Sequence, residues 1–121
     1  MNSNKVIWSR APLRLGLAGG GTDVAPYSDI YGGRVLNSTI NLYAYANIEP
    51  RNDGKIIFES FDLGIKEEYS DLDFIEADGD LALLKGVYNR IRSKYSPKSL
   101  SFKLSTFVDA HPVLGWVLHQ L

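Results

Sequence analysis

Six residues in one short stretch have the types needed to handle a small polar ligand. They are Arg14, the triplet Gly19-Gly20-Gly21, Thr22 and Asp23. A guanidinium, a hydroxyl and a carboxylate are the groups that meet phosphoryl oxygens and sugar hydroxyls. Consecutive glycines let the backbone take left-handed conformations and let a ligand approach the main chain closely. Together they point to a polyhydroxylated or phosphorylated small molecule. The competing reading is a glycine-rich bend with a surface aspartate. On local pattern the two stand level, because short glycine motifs recur in many unrelated proteins.

The elements that position these residues follow from periodicity. Leu13, Leu15 and Leu17 alternate with Arg14 and Gly16, which predicts a strand over 12–17 running into the glycines. Residues 5–9 predict a separate entry or edge strand. Asp23 is placed to cap a short helix with Pro26 in its first turn, ended by Gly32-Gly33. Strands are expected at 34–36 and 40–49, where β-branched and aromatic residues alternate with polar ones. Asn52-Asp53-Gly54 predicts a hairpin whose returning strand is 55–60, and 65–69 can pair as another. Leu84, Val87, Tyr88, Ile91 and Tyr95 fall at helical spacing, with Leu81 before them. Lys85, Arg90, Arg92 and Lys94 are expected to face solvent. Pro97 marks the helix exit, and 100–108 reads as a last strand. Several strands with one long helix make an α+β protein.

Bulk properties exclude whole classes of function. The chain has 121 residues, enough for one modest core, and is 45% hydrophobic and 22% charged. A net charge of -1 gives no electrostatic case for nucleic acid or an anionic membrane. There are no cysteines, so neither disulfides nor thiolate chemistry are available. No signal peptide or membrane-length apolar run is visible, which makes the cytoplasm the expected compartment.

Other candidates weigh less. His111 and His119 lie outside any metal-binding spacing, so no metal site is expected, and both sit too close to the end for a Ser-His-Asp order. Asp62, Asp71, Asp73, Asp78 and Asp80 read as solvated turns and caps. Tyr43 and Tyr45 suit sheet packing better than ligand stacking. Asn37, Ser38, Thr39 and Asn41 form a polar island that is either a strand crossing or a sugar-hydroxyl site.

Two runs of residues carry a family resemblance. Ala11-Pro-Leu-Arg14 followed by Ala18-Gly-Gly-Gly-Thr-Asp23 resembles the first signature of the GHMP small-molecule kinases. The continuation from Tyr27 to Ile40 resembles the heptose 7-phosphate kinase branch, with fucokinase-like relatives next. The similarity runs from about residue 7 to 110. The resemblance implies a ribosomal-protein-S5-like α+β domain over 1–110, with a mixed or antiparallel sheet, here incomplete. It implies transfer of the γ-phosphoryl of ATP, with Mg2+, to the anomeric hydroxyl of D-glycero-D-manno-heptose 7-phosphate. It also implies Arg14 near the reacting hydroxyl, with Gly19, Gly20, Gly21, Thr22 and Asp23 on the sugar side. Galactokinases carry a sugar-binding glutamate where this chain has Gly20, so galactose is disfavoured. The rival readings are another GHMP kinase or a non-catalytic sugar-binding fragment.

A second signature of these kinases is a glycine- and serine-rich loop opening a helix, whose N–H groups cradle the ATP phosphates. Where it is expected, after Asp109-Ala110, the chain reads His111-Pro-Val-Leu-Gly-Trp-Val-Leu-His-Gln-Leu121. Codons able to write this tail, with one nucleotide restored ahead of them, permit Pro-Pro-Gly-Ser-Gly-Leu-Gly-Ser-Ser-Ser-Thr. The Trp116-Val117 pair forces one of those glycines. The expectation is therefore that 111–121 is a frameshift product and that the chain as it stands is inactive. A genuine alternative C-terminus is the competing reading.

Overall fold

The computed structural model describes residues 5–95 and 98–110. Pro97, His111, His119 and the tail 111–121, with the expectations placed on them, lie outside these residues. Seven elements follow in chain order: β1 (Ile7–Ala18), α1 (Tyr27–Tyr31), β2 (Leu36–Pro50), β3 (Lys55–Ser60), β4 (Ile65–Ser70), α2 (Ala82–Tyr95) and β5 (Phe102–Val108). The strands form one five-stranded sheet in the order β1-β2-β5-β3-β4. β3 pairs antiparallel with β4 and parallel with β5, so the sheet is mixed and the class is α+β. By contact the chain divides into two compact units. One holds residues 5–9 and 45–107, the other 10–44 and 108–110.

The sheet corrects four sequence expectations. The two N-terminal strands are one, because β1 runs unbroken through Ala11-Pro12. β1 ends the strand order, and an edge strand tolerates a proline that cannot donate to a ladder. Residues 34–36 and 40–49 do not form two strands either. β2 carries all of the polar island, Asn37, Ser38, Thr39 and Asn41, so that island is a strand segment. The third correction is the hairpin. Asp53-Gly54 does turn, with Gly54 at φ +70°, yet β2 and β3 are not neighbours, because β5 lies between them. Asp-Gly chemistry sets a local turn and leaves the strand's partner to tertiary packing. Finally, the α1 N-cap is Pro26, with no side-chain cap hydrogen bond, so Asp23 does not cap it. Gly32 does end α1, at φ +72° with its N–H donating to Ser28 O.

The core of the first unit forms where β3 meets α2. Ile56, Phe58, Ile75, Leu81 and Tyr88 make the buried cluster, with Ile65, Tyr69, Leu84, Leu100, Phe102 and Leu104 packed against it. β3 lies between β5 and β4, and Ile56, Ile57 and Phe58 are all buried. Successive side chains point to opposite faces, so burial of all three means that β3 is covered on both, and it reads as an apolar run rather than an alternation. Phe58 meets Tyr69, Tyr88 and Phe102 at ring-centroid distances of 6.1–6.2 Å, in tilted or edge-on geometry.

α2 keeps its expected place but turns a different face inward. Leu81, Lys85 and Tyr88 are buried, whereas Val87, Ile91 and Tyr95 are exposed. Arg90 and Lys94 face solvent as expected. Lys85 does not: its ammonium donates to Asp78 Oδ1 and Asp78 O at 2.9 Å and pairs with Glu67 Oε2 at 2.9 Å. Those partners, Asp78 first and then Glu67, hold its pKa above the ordinary lysine value. Arg92 is also drawn in, pairing with Asp73 at 2.8 Å and Asp71 at 3.2 Å. A buried cation is tolerated only where acceptors meet it, and here they come from β4 and the 71–78 loop, not from the helix itself. Asp71 also accepts the Leu100 N–H at 3.1 Å and is largely buried, so it is a tertiary clasp, whereas Asp73 and Asp78 stay mostly solvated as expected.

Candidate functional site

The stretch from Arg14 to Asp23 belongs to the second unit. β1 delivers Arg14 on an exposed strand position, with Leu13 and Leu15 half-buried on the opposite face. Arg10 shares Arg14's face by strand period. Its guanidinium lies 4.7 Å from the Tyr43 ring centroid, a cation–π contact. Tyr45, in the first unit, stacks on Phe107 with centroids 4.6 Å apart, which is sheet-face packing. Ser38 Oγ donates to its neighbour Thr39 O at 3.2 Å.

Beyond Ala18 the chain turns. Gly19 stands at φ +81° and Gly21 at φ +85°, conformations that side-chain-bearing residues rarely take. The Thr22 N–H donates to Gly19 O at 3.1 Å and closes the turn. Gly20, Gly21 and Asp23 are exposed in it, while Thr22 is half-buried. The Thr22 hydroxyl lies 2.7 Å from Gly19 O and 2.9 Å from Arg34 O, and it accepts the Arg34 N–H at 3.1 Å.

Two glycines allow this closeness. A Cβ on Gly19 would stand 1.9 Å from Arg34 O. One on Gly33 would stand 2.4 Å from Thr22 O and 2.8 Å from Asp23 Cα. The turn is therefore laid backbone to backbone against residues 33–34. Sequence reasoning saw Gly33 only as a helix stop. The signal for its second role is spatial, since Thr22 and Arg34 are twelve residues apart.

A second clasp was equally invisible. Asp109 accepts the Tyr43 N–H on Oδ2 at 2.9 Å and donates its own N–H to Tyr43 O at 2.9 Å. Sixty-six residues separate the pair, so no local pattern announces it. It ties the chain just after β5 to β2, directly before the residues where a phosphate loop is expected.

An ATP cradle requires a helix N-terminus with free N–H groups and no competing negative charge. Neither described helix fits. α1 has five residues and starts at a proline N-cap. α2 is preceded by Asp78 and Asp80, whose carboxylates repel phosphate, and its Ala82 N–H already donates to Gly79 O at 3.3 Å. Among the described residues, neither helix N-terminus presents free N–H groups clear of carboxylates to a phosphate. Among these residues no group of three His, Asp or Glu residues could hold a metal ion, and no helix is long and apolar enough to cross a membrane.

Comparison with known proteins decides the family. The chain is 50% identical over 105 residues to the D-glycero-alpha-D-manno-heptose 7-phosphate kinase of Campylobacter jejuni, covering 87% of this chain and 31% of that one. A match of that length cannot miss the Gly19–Asp23 turn. It also aligns with the crystal structure of a D-glycero-D-manno-heptose 1-phosphate kinase from Bacteroides thetaiotaomicron. There the TM-score is 0.77 and the identity 54%, over 88% of this chain and 34% of the other. The chain belongs to the GHMP kinase family. Its fold extends to the Methanococcus jannaschii mevalonate kinase, with a TM-score of 0.65 at 20% identity, over 88% of this chain and 32% of that one. No protein-family model matches the chain. This GHMP kinase chain spans about a third of the length of these two heptose phosphate kinases.

Proposed function

We propose that this chain carries the acceptor-sugar side of an ATP-dependent sugar kinase acting on the anomeric hydroxyl of D-glycero-D-manno-heptose 7-phosphate, in the cytoplasm. The observation that carries it is the 50% identity to a kinase of that name across a stretch that contains the glycine turn. The names of the two relatives place the phosphate differently, on position 7 in one and position 1 in the other. Both specify a heptose phosphate, which supports that class of sugar for this chain.

Each residue has a role that its position supports. Asp23, exposed in the turn, accepts hydrogen bonds from sugar hydroxyls and orients the acceptor. Arg14, exposed on β1, supplies fixed positive charge where phosphoryl oxygens gather. Gly19, Gly20 and Gly21 let the sugar approach the main chain. Phosphoryl transfer draws mostly on such positioning and charge neutralisation. ATP and Mg2+ belong to the proposal for the family. Neither described helix N-terminus is placed to cradle the nucleotide phosphates.

We further propose that residues 111–121 are the phosphate loop read out of frame and that this chain does not turn over. Sequencing the gene across the Ala110 codon tests the first point: downstream nucleotides that do not encode the loop in the restored frame would refute it. A coupled ADP-release assay with heptose 7-phosphate tests the second. The expected result is no turnover above background, and sustained turnover by the 121-residue chain would overturn it.

A further inference from the structure

Three contacts of the glycine turn converge on the same two residues. The Thr22 hydroxyl holds both backbone polar groups of Arg34. Gly19 has no room for a Cβ because Arg34 O is there. Gly33 has no room because Thr22 O and Asp23 Cα are there. We propose that Thr22 and Gly33 are positioning residues of the acceptor site, which clamp the turn onto the Gly33–Arg34 backbone and so fix where the Asp23 carboxylate stands. The inference rests on the acceptor-site reading above and assigns Thr22 a role distinct from contact with the sugar.

The hydroxyl's capacity decides between the two roles. A threonine hydroxyl has one proton to donate. Gly19 O at 2.7 Å and Arg34 O at 2.9 Å already compete for it, and the Arg34 N–H takes up acceptor capacity. Donation to a sugar would mean giving up a backbone carbonyl. The half-buried side chain is committed inward, whereas Asp23 beside it is exposed. The clamp reaches Asp23 through its backbone, since its Cα is one of the atoms against Gly33. Carboxylates that orient a substrate must be held to within a fraction of an ångström, and a turn rich in glycine has no stiffness of its own.

The test uses the full chain with Thr22→Ser, Thr22→Val and Gly33→Ala. Two quantities are read: calorimetric affinity for D-glycero-D-manno-heptose 7-phosphate, and hydrogen exchange of the Arg34 amide without sugar. Thr22→Val keeps the shape and removes the hydroxyl, so the Arg34 amide should exchange faster and affinity should fall about tenfold. Thr22→Ser keeps the hydroxyl and should match the wild type in both. Gly33→Ala should weaken binding at least as much, although position 33 has no side chain with which to touch a sugar. Should Gly33→Ala fail to fold, the near-isosteric Thr22→Val still carries the test. Wild-type affinity in Thr22→Val, or Thr22→Ser as weak as Thr22→Val, would overturn the positioning role while leaving the acceptor site intact. Failure of the wild-type chain itself to bind would instead strike the acceptor-site reading, and this inference with it.

Discussion

Gly19→Ala is expected to abolish sugar-phosphate binding and to destabilise the second unit, while Gly21→Ala should leave a weakened but recognisable turn. Both glycines sit at positive φ, so both substitutions carry backbone strain of about 1–3 kcal/mol. Their surroundings differ. A Cβ on Gly21 meets nothing within 4 Å, but one on Gly19 would stand 1.9 Å from Arg34 O. That contact is backbone, which no rotamer change can relieve. Either the Gly19 peptide or the 33–34 segment must move, and the Thr22 hydroxyl loses its partners when it does. Chemical denaturation and calorimetry on the two variants would show the contrast, and equal effects would mean that the tight contact is unimportant.

Phe58→Ala should unfold the first unit or bring it close to unfolding. Phe58 is fully buried and touches three aromatic rings, from β4, α2 and β5. Truncating a buried phenylalanine costs about 3–5 kcal/mol, through lost transfer energy and the cavity left behind. Domains of this size have only about 5–15 kcal/mol in hand. Leu83→Ala on α2 is the control, because Leu83 is 78% exposed and its loss should shift stability by no more than about 0.5 kcal/mol. Urea unfolding followed by far-UV circular dichroism separates the outcomes. Similar midpoints for the two variants would show that the core lies elsewhere.

What the sequence made legible was local. The place of α2 was readable from the helical spacing of its apolar residues, though not the face it buries, and β4 was readable because it follows β3 by a short turn. The strand entering the glycine triplet was readable from Leu13, Leu15 and Leu17, and the end of α1 from Gly32. Pairing was not. β5 inserts between β2 and β3, and nothing in Asn52-Asp53-Gly54 can announce a strand that arrives some fifty residues later. The inward turn of Lys85 was hidden for a related reason, since its acceptors, Glu67 and Asp78, lie on other segments. At the candidate site the reactive types were visible, whereas the clasps Thr22–Arg34 and Tyr43–Asp109 were not. Residue type can be read from a string of letters; contact across 12 or 66 positions cannot.

Direct titration of D-glycero-D-manno-heptose 7-phosphate into the 121-residue chain tests the acceptor-site reading most plainly, with Asp23→Asn as the paired control. Asparagine keeps the size of the side chain and removes the charge that makes its hydrogen bonds strong. The expected result is saturable heat with the wild type and at least about tenfold weaker binding with Asp23→Asn, a loss of about 1.4 kcal/mol. No binding by a folded wild-type chain, or equal binding by the two proteins, would contradict it.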